Sequence, residues 1–93
     1  MSDVFDALAH PVRRQILKML RKKPMNAGEI AGHFDLAKPT LSGHFAVLKA
    51  ADLVSTERKG TTITYRVKMS VLEEAAAGLM DLAGVKRGKE KME

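Results

Sequence analysis

Cysteine is absent from the 93-residue sequence, which removes disulfides, thiolate nucleophiles, iron–sulfur clusters and thiol-based zinc sites together. Also missing is any apolar run near the roughly 20 residues a membrane span needs. Asp3 and Asp6 flank the first hydrophobic residues, where a signal peptide would carry positive charge. A soluble, cytoplasmic protein with no membrane partner is expected. There is no glycine-rich phosphate loop, because Gly28, Gly32 and Gly43 are scattered through helical stretches. No histidine follows His44, which deprives the C-terminal half of the commonest metal ligand. No acid interrupts the segment from Pro11 to Lys23, which leaves a strip of uncompensated positive charge.

What is present suits one small domain. Apolar residues are 45% of the chain and charged ones 29%, enough burial to offset chain entropy in a sequence too short for two cores. We expect a domain over residues 1–85 and a frayed tail, KRGKEKME, over 86–93. The net charge is +5 and the excess lies centrally. Arg13, Arg14, Lys18, Arg21, Lys22 and Lys23 are followed by Lys38, Lys49, Arg58, Lys59, Arg66 and Lys68, which outnumber Asp52 and Glu57. A basic middle favours a polyanion, and nucleic acid is the commonest one inside a cell. The plain alternative is a solvated helix face.

Periodicity organises the rest. Val4, Phe5 and Leu8 predict a short helix over residues 3–9, ended by His10-Pro11. Pro11 opens a second helix with Val12, Ile16, Leu17 and Leu20 inward, stopped at Pro24. Asn26 and Glu29 form a capping-box pattern ahead of Ile30, Ala31 and Phe34. A fourth helix is predicted from Pro39 to Ala51, with Leu41, Phe45 and Leu48 as its buried seam. From Val54 to Val67 the period changes to two, with Gly60 as the break, which describes a β-hairpin. A second capping-box pattern, Ser70 to Glu73, begins a last helix that Gly84 ends near Ala83. The fold class expected is mainly α with a small β-hairpin wing, in the order α-α-α-α-β-β-α: a winged helix-turn-helix.

In such a fold the second helix of the pair enters the major groove by its N-terminal turns, so residues there must be slim or able to hydrogen-bond. The stretch KPTLSGHF, residues 38–45, meets that condition. Lys38 adds charge, and Pro39 suits the first helical turn, where free N–H groups favour a phosphate oxygen. Thr40 and Ser42 can bond base edges or phosphates, and Gly43 permits close backbone approach. The candidate recognition face is Lys38, Pro39, Thr40, Ser42, Gly43 and His44; the candidate wing tip is Arg58, Lys59, Gly60 and Thr61. Ordinary capping on an exposed helix is the competing explanation.

ALAHPVRRQILKML, AGEIAGHFDLAKPTLSGHFAVLKAADLV and ERKGTTITYRV, in this order and spacing, resemble the ArsR-type winged-helix transcriptional repressors over nearly the whole chain. The resemblance implies a homodimer that binds an inverted-repeat operator in double-stranded DNA. It also implies a dimer contact made by the terminal helices, here Val4, Phe5 and Leu8 with Val71, Leu72, Ala75, Ala76, Leu79 and Met80. The last helix independently carries an apolar stripe wide for so small a domain. Two positions depart from the family: His10 replaces an acidic cap, and Gly43 stands where a longer polar side chain is common.

Many family members release DNA when metal binds a cysteine pair or a histidine-rich terminal site, and this chain has neither set of ligands. Glu73, Glu74 and Asp81 alone are poor transition-metal ligands. No cofactor and no metal are expected. Catalysis is not expected either: Ser42 and His44, two residues apart on a helix, point to nearly opposite sides. The family's cysteine-free, SdpR-like members imply by analogy a repressor of its own gene, governed by its level or by a sequestering protein. A repressor with an unusual metal or small-molecule site, and a winged-helix adaptor for another protein, are the alternatives.

Overall fold

Prolines and caps set the helix boundaries in the computed structural model, which describes residues 3–85. The Asp3 carboxylate accepts from the amides of Phe5 and Asp6 at 2.6 and 3.1 Å and opens α1, Val4–Leu8. Helix α2, Pro11–Lys22, starts on proline, and His10 Nδ1 accepts the Val12 N–H at 3.1 Å. The expected capping box forms ahead of α3, Ala27–Ala31: Asn26 accepts from the Glu29 amide at 2.8 Å and Glu29 from the Asn26 amide at 2.9 Å. Helix α4, Lys38–Ala50, lies one residue earlier at each end than the periodicity suggests.

The last helix, α5, Met69–Ala83, corrects one expectation. Lys68 is its N-cap and makes no side-chain cap bond. Ser70 is therefore already inside the first turn and cannot act as the cap of a Ser70–Glu73 box. Gly84, at φ +76°, ends the helix as expected.

The hairpin is present as β2, Val54–Lys59, and β3, Thr62–Val67, but a third strand joins it. Residues Met25–Asn26, here β1, pair antiparallel with β3 in the order β1-β3-β2, with Met25 opposite Tyr65 and Thr56 opposite Tyr65 on the other side. Two residues after a proline are too few to show a period of two. The fold is thus mainly helical with a small antiparallel sheet.

The core lies where the helices meet this sheet. Ile16, Leu17 and Leu20 of α2, Ile30 of α3, and Leu41, Phe45 and Leu48 of α4 close over Leu53, Val54 and Tyr65. The Phe45 and Tyr65 rings stack with centroids 4.6 Å apart. After α4 the chain turns through Asp52, at φ +62°, a left-handed conformation that Asp tolerates better than most residues. The Asp52 carboxylate accepts from Lys68 Nζ at 2.7 Å, and the Lys68 amide donates to the Leu53 carbonyl at 2.8 Å. The end of α4 is thereby sewn to the start of α5.

Helix α5 gives its own chain little beyond that anchor. Val71 and Leu72 rest half-buried on the core, and Ala75 alone of its residues is buried. Ala75 is therefore removed from the expected dimer face, because the monomer already covers it. Ala76, Leu79, Met80 and Leu82 remain exposed, Leu79 by 47% and Leu82 by 83%. Phe5 on α1 is exposed as well. The expected tail, residues 86–93, lies outside the described residues.

Leu48 has no solvent exposure and sits between α4 and the sheet. Leu48→Ala should lower unfolding free energy by about 3 kcal/mol, lost transfer energy plus a cavity. Urea unfolding checks this as a lower midpoint with an unchanged slope.

Candidate nucleic-acid interface

The four buried residues of α4 divide the helix into two faces. Leu41, His44, Phe45 and Leu48 point inward, while Lys38, Pro39, Thr40, Ser42, Gly43 and Ala46 are exposed. Five of the six expected recognition residues thus share the solvent side of the first turns. His44 does not: it is 8% exposed and faces α2. His44 stands three residues after Leu41 and four before Leu48, so helix geometry puts it on the buried seam. Gly43 has open space around it: a Cβ built there would meet nothing within 4 Å. The fold does not require this glycine, although a helix interior is its least favourable setting after proline's.

The wing tip is a two-residue turn, Gly60-Thr61, between Lys59 and Thr62. Gly60, at φ +60°, supplies the positive φ that a II′ hairpin turn demands of its first central residue. Further down the strands, Arg66 lies 3.8 Å from Glu57 and Lys68 holds Asp52. Both pairs are substantially exposed, so each adds at most about 1 kcal/mol. Arg58 and Lys59 form no salt bridge among the described residues, and positive charge is left at the tip.

Two cations expected on a solvated basic face are used structurally instead. The Arg13 guanidinium donates to the carbonyls of Ala7 and Asp6, at 2.8 and 3.2 Å, and to His44 Nδ1 at 3.1 Å. Arg14 donates to the Leu8 carbonyl at 2.8 Å. These carbonyls end a five-residue helix that leaves most of its acceptors open, and the two arginines satisfy them. The His10 and His44 rings are 4.4 Å apart. Burial first, then the proximity of His10 and Arg13, holds the His44 pKa below the usual imidazole range. Sequence reasoning missed this cluster. Its available signal is Arg-Arg one turn into a helix that directly follows a very short one.

Among the described residues no three His, Cys, Asp or Glu side chains gather into a possible metal site. Nor is any helix there long and apolar enough to cross a membrane.

Residues 10–56 match the family described as bacterial regulatory protein, arsR family. Over 75 residues the chain is 43% identical to the transcriptional repressor SdpR of Bacillus subtilis, covering 81% of this chain and 83% of that protein. It is 36% identical over 78 residues to the nodulation protein NolR of Rhizobium meliloti, covering 84% of this chain and 64% of NolR. It therefore spans most of SdpR but under two thirds of the longer NolR. Among solved structures, a possible transcriptional regulator for arsenical resistance superposes with a TM-score of 0.81 at 27% identity, over 92% of this chain and 88% of that one. NolR from Sinorhizobium fredii gives 0.68 at 36% identity, over 88% and 82%.

Since nothing in the fold needs Gly43, Gly43→Ala should stabilise the protein by about 1 kcal/mol through helix propensity. Thermal and urea unfolding both read this. A lower midpoint would mean that packing does demand the glycine.

Proposed function

The chain belongs to the ArsR family of bacterial regulatory proteins, and on that premise we propose that it represses transcription as a homodimer on an inverted-repeat DNA operator. The observation that carries this reading is the solvent face of α4: slim, polar, and weakened by a glycine that the fold itself does not use. A backbone stripped of side chains at one point suits something that must come close from outside. In a major groove Thr40 and Ser42 meet base edges, and Gly43 admits the backbone between them. Lys38 and the free amides of the first turn take a phosphate. Arg58 and Lys59, carried on the hairpin, meet the neighbouring backbone and add affinity without sequence preference.

Symmetry supplies the rest. Phe5, Leu79 and Met80 are exposed apolar residues on the two terminal helices, and a second copy of the chain would cover them. Val4, Leu8, Val71, Leu72 and Ala76 complete that face. A two-fold pair presents two recognition helices to successive major grooves, roughly 34 Å apart, and so selects an inverted repeat. With no cysteine in the chain, release without a metal signal is the simplest regulation: a falling level of the protein, or capture by a sequestering partner. A cytoplasmic location and repression of its own gene accompany this reading.

Selection of bound duplexes from a random pool tests it. Thr40→Ala and Ser42→Ala should relax preference at particular bases by about 1–3 kcal/mol each, whereas Arg58→Ala and Lys59→Ala weaken all sequences alike. Gly43→Ala should bind DNA less tightly while folding more stably. With about eight phosphates neutralised per dimer, affinity falls with salt at a log–log slope of about −7. Leu79→Glu should leave a monomer without operator binding, read by light scattering and gel shift. A chain that is monomeric and indifferent to every duplex at low salt refutes the proposal.

A further inference from the structure

The cluster at the α1–α2 corner takes no part in the contacts assigned above to DNA. It joins three pieces of chain: the end of α1 through the Ala7 and Asp6 carbonyls, the start of α2 through His10 and Arg13, and the inner face of α4 through His44. Each bond restricts protonation. A guanidinium only donates, so His44 Nδ1 must hold a lone pair for Arg13 at 3.1 Å. His10 Nδ1 accepts the Val12 amide at 3.1 Å and must hold one too. Both imidazoles are therefore neutral, with the proton on Nε2.

We propose that Arg13, His44 and His10 form a proton-sensitive strut that positions the recognition helix against the α1–α2 corner, and that acidification releases it and loosens the operator complex. A proton on His44 Nδ1 turns an acceptor into a donor aimed at the Arg13 guanidinium. The charged groups around the cluster do not offset this. Helix α1 brings Asp3, whose carboxylate is taken by the amides of Phe5 and Asp6, and Asp6, which offers Arg13 only its carbonyl. Helix α2 brings Arg13 and Arg14, and α4 adds Lys38 and Lys49 on its far, exposed side.

The sign follows from linkage. Burial, His10 and Arg13 all depress proton binding by His44 in the folded chain, while the unfolded chain binds near pH 6.5. The stabilisation is full above that pH and is lost as pH falls below it. Charge alone predicts the opposite for DNA, because each added proton makes the protein more cationic and would tighten binding. The direction of the effect thus separates the strut from general electrostatics.

The DNA readout rests on the repressor reading, so the experiment has a second arm. Anisotropy of a labelled, pool-selected duplex is measured from about pH 7.5 to about pH 5.5 at constant ionic strength. Wild type should lose affinity by up to about tenfold, the most that an imidazole with the ordinary pKa of about 6.5 could cost at about pH 5.5, while His44→Asn, with an acceptor that takes no proton, should change by under about twofold. Histidine 15N spectra of the wild type, without DNA, should show both Nδ1 atoms unprotonated near neutrality. The amides of Ala7 and Leu8 should then shift together with the His44 titration. Affinity that rises or holds in acid, or an equal loss in His44→Asn, overturns the strut. Should no duplex bind at any pH, the repressor reading fails separately, and α1 amides that stay still while His44 titrates overturn the strut.

Discussion

The stack of Phe45 on Tyr65, 4.6 Å between centroids, is the contact from which the arrangement of this molecule follows. Phe45 belongs to the helix that carries the candidate recognition face, and Tyr65 to the central strand of the sheet, paired with Met25 on one side and Thr56 on the other. One contact therefore ties α4 to both neighbours of β3. With Leu41 and Leu48 at helical spacing beside it, Phe45 fixes the rotation of α4 about its own axis. Whatever lies opposite that seam is exposed by necessity. Thr40, Ser42, Gly43 and Ala46 face solvent because the seam cannot be buried any other way. Burial also raises the Tyr65 pKa above the usual phenol value, which keeps the ring neutral around physiological pH.

Charge is divided by the same geometry. The net +5 comes from residues that look alike in composition and do different work in space. Arg13 and Arg14 point along α2 toward the end of α1 and spend their donors on carbonyls, while Arg66 and Lys68 lie across from Glu57 and Asp52. Arg58 and Lys59 at the hairpin tip and Lys38 at the start of α4 have no carboxylate partner among the described residues. Positive charge that is not locally answered thus remains at the two places a winged helix presents to a duplex, and also on Lys18, Arg21, Lys22, Lys23 and Lys49 elsewhere on the surface.

Much of this was legible in the sequence, and for identifiable reasons. Long periodic signals carried the helices: Val12, Ile16, Leu17 and Leu20 in one, and Leu41, Phe45 and Leu48 in another. Gly60 and the alternation of Ile63, Tyr65 and Val67 carried the hairpin, and Asn26 with Glu29 carried the cap of α3. What was not legible depends on partners distant in sequence. Strand β1 exists only because Tyr65 and Thr64 offer it a ladder, and the Ser70 box fails because the Lys68–Leu53 bond starts α5 earlier. His44 is different. It lies three residues after Leu41 and four before Leu48, on the seam the apolar spacing already defined, so its inward position was available from helix geometry alone.

Helix α4 is held at three places, and they differ in kind. Along its inner face the hold is apolar: Leu41, Phe45 and Leu48 in the core. At its C-terminal end the hold is the turn through Asp52 and Leu53, where a buried leucine accompanies an exposed ion pair. Toward α1 it is the bond between His44 and Arg13. Packing of the first kind responds little to solution conditions, because transfer of apolar surface from water involves no proton. The exposed Asp52–Lys68 pair is worth little and is screened by salt. Of the three, only the histidine bond combines burial with an ionisable group whose hold on a proton the fold has weakened. It also lies between the helix that faces the proposed operator and the helix that bears Phe5 on the proposed dimer face. In a chain without cysteine, a chemical signal has few ways to reach both faces together, and this bond provides one.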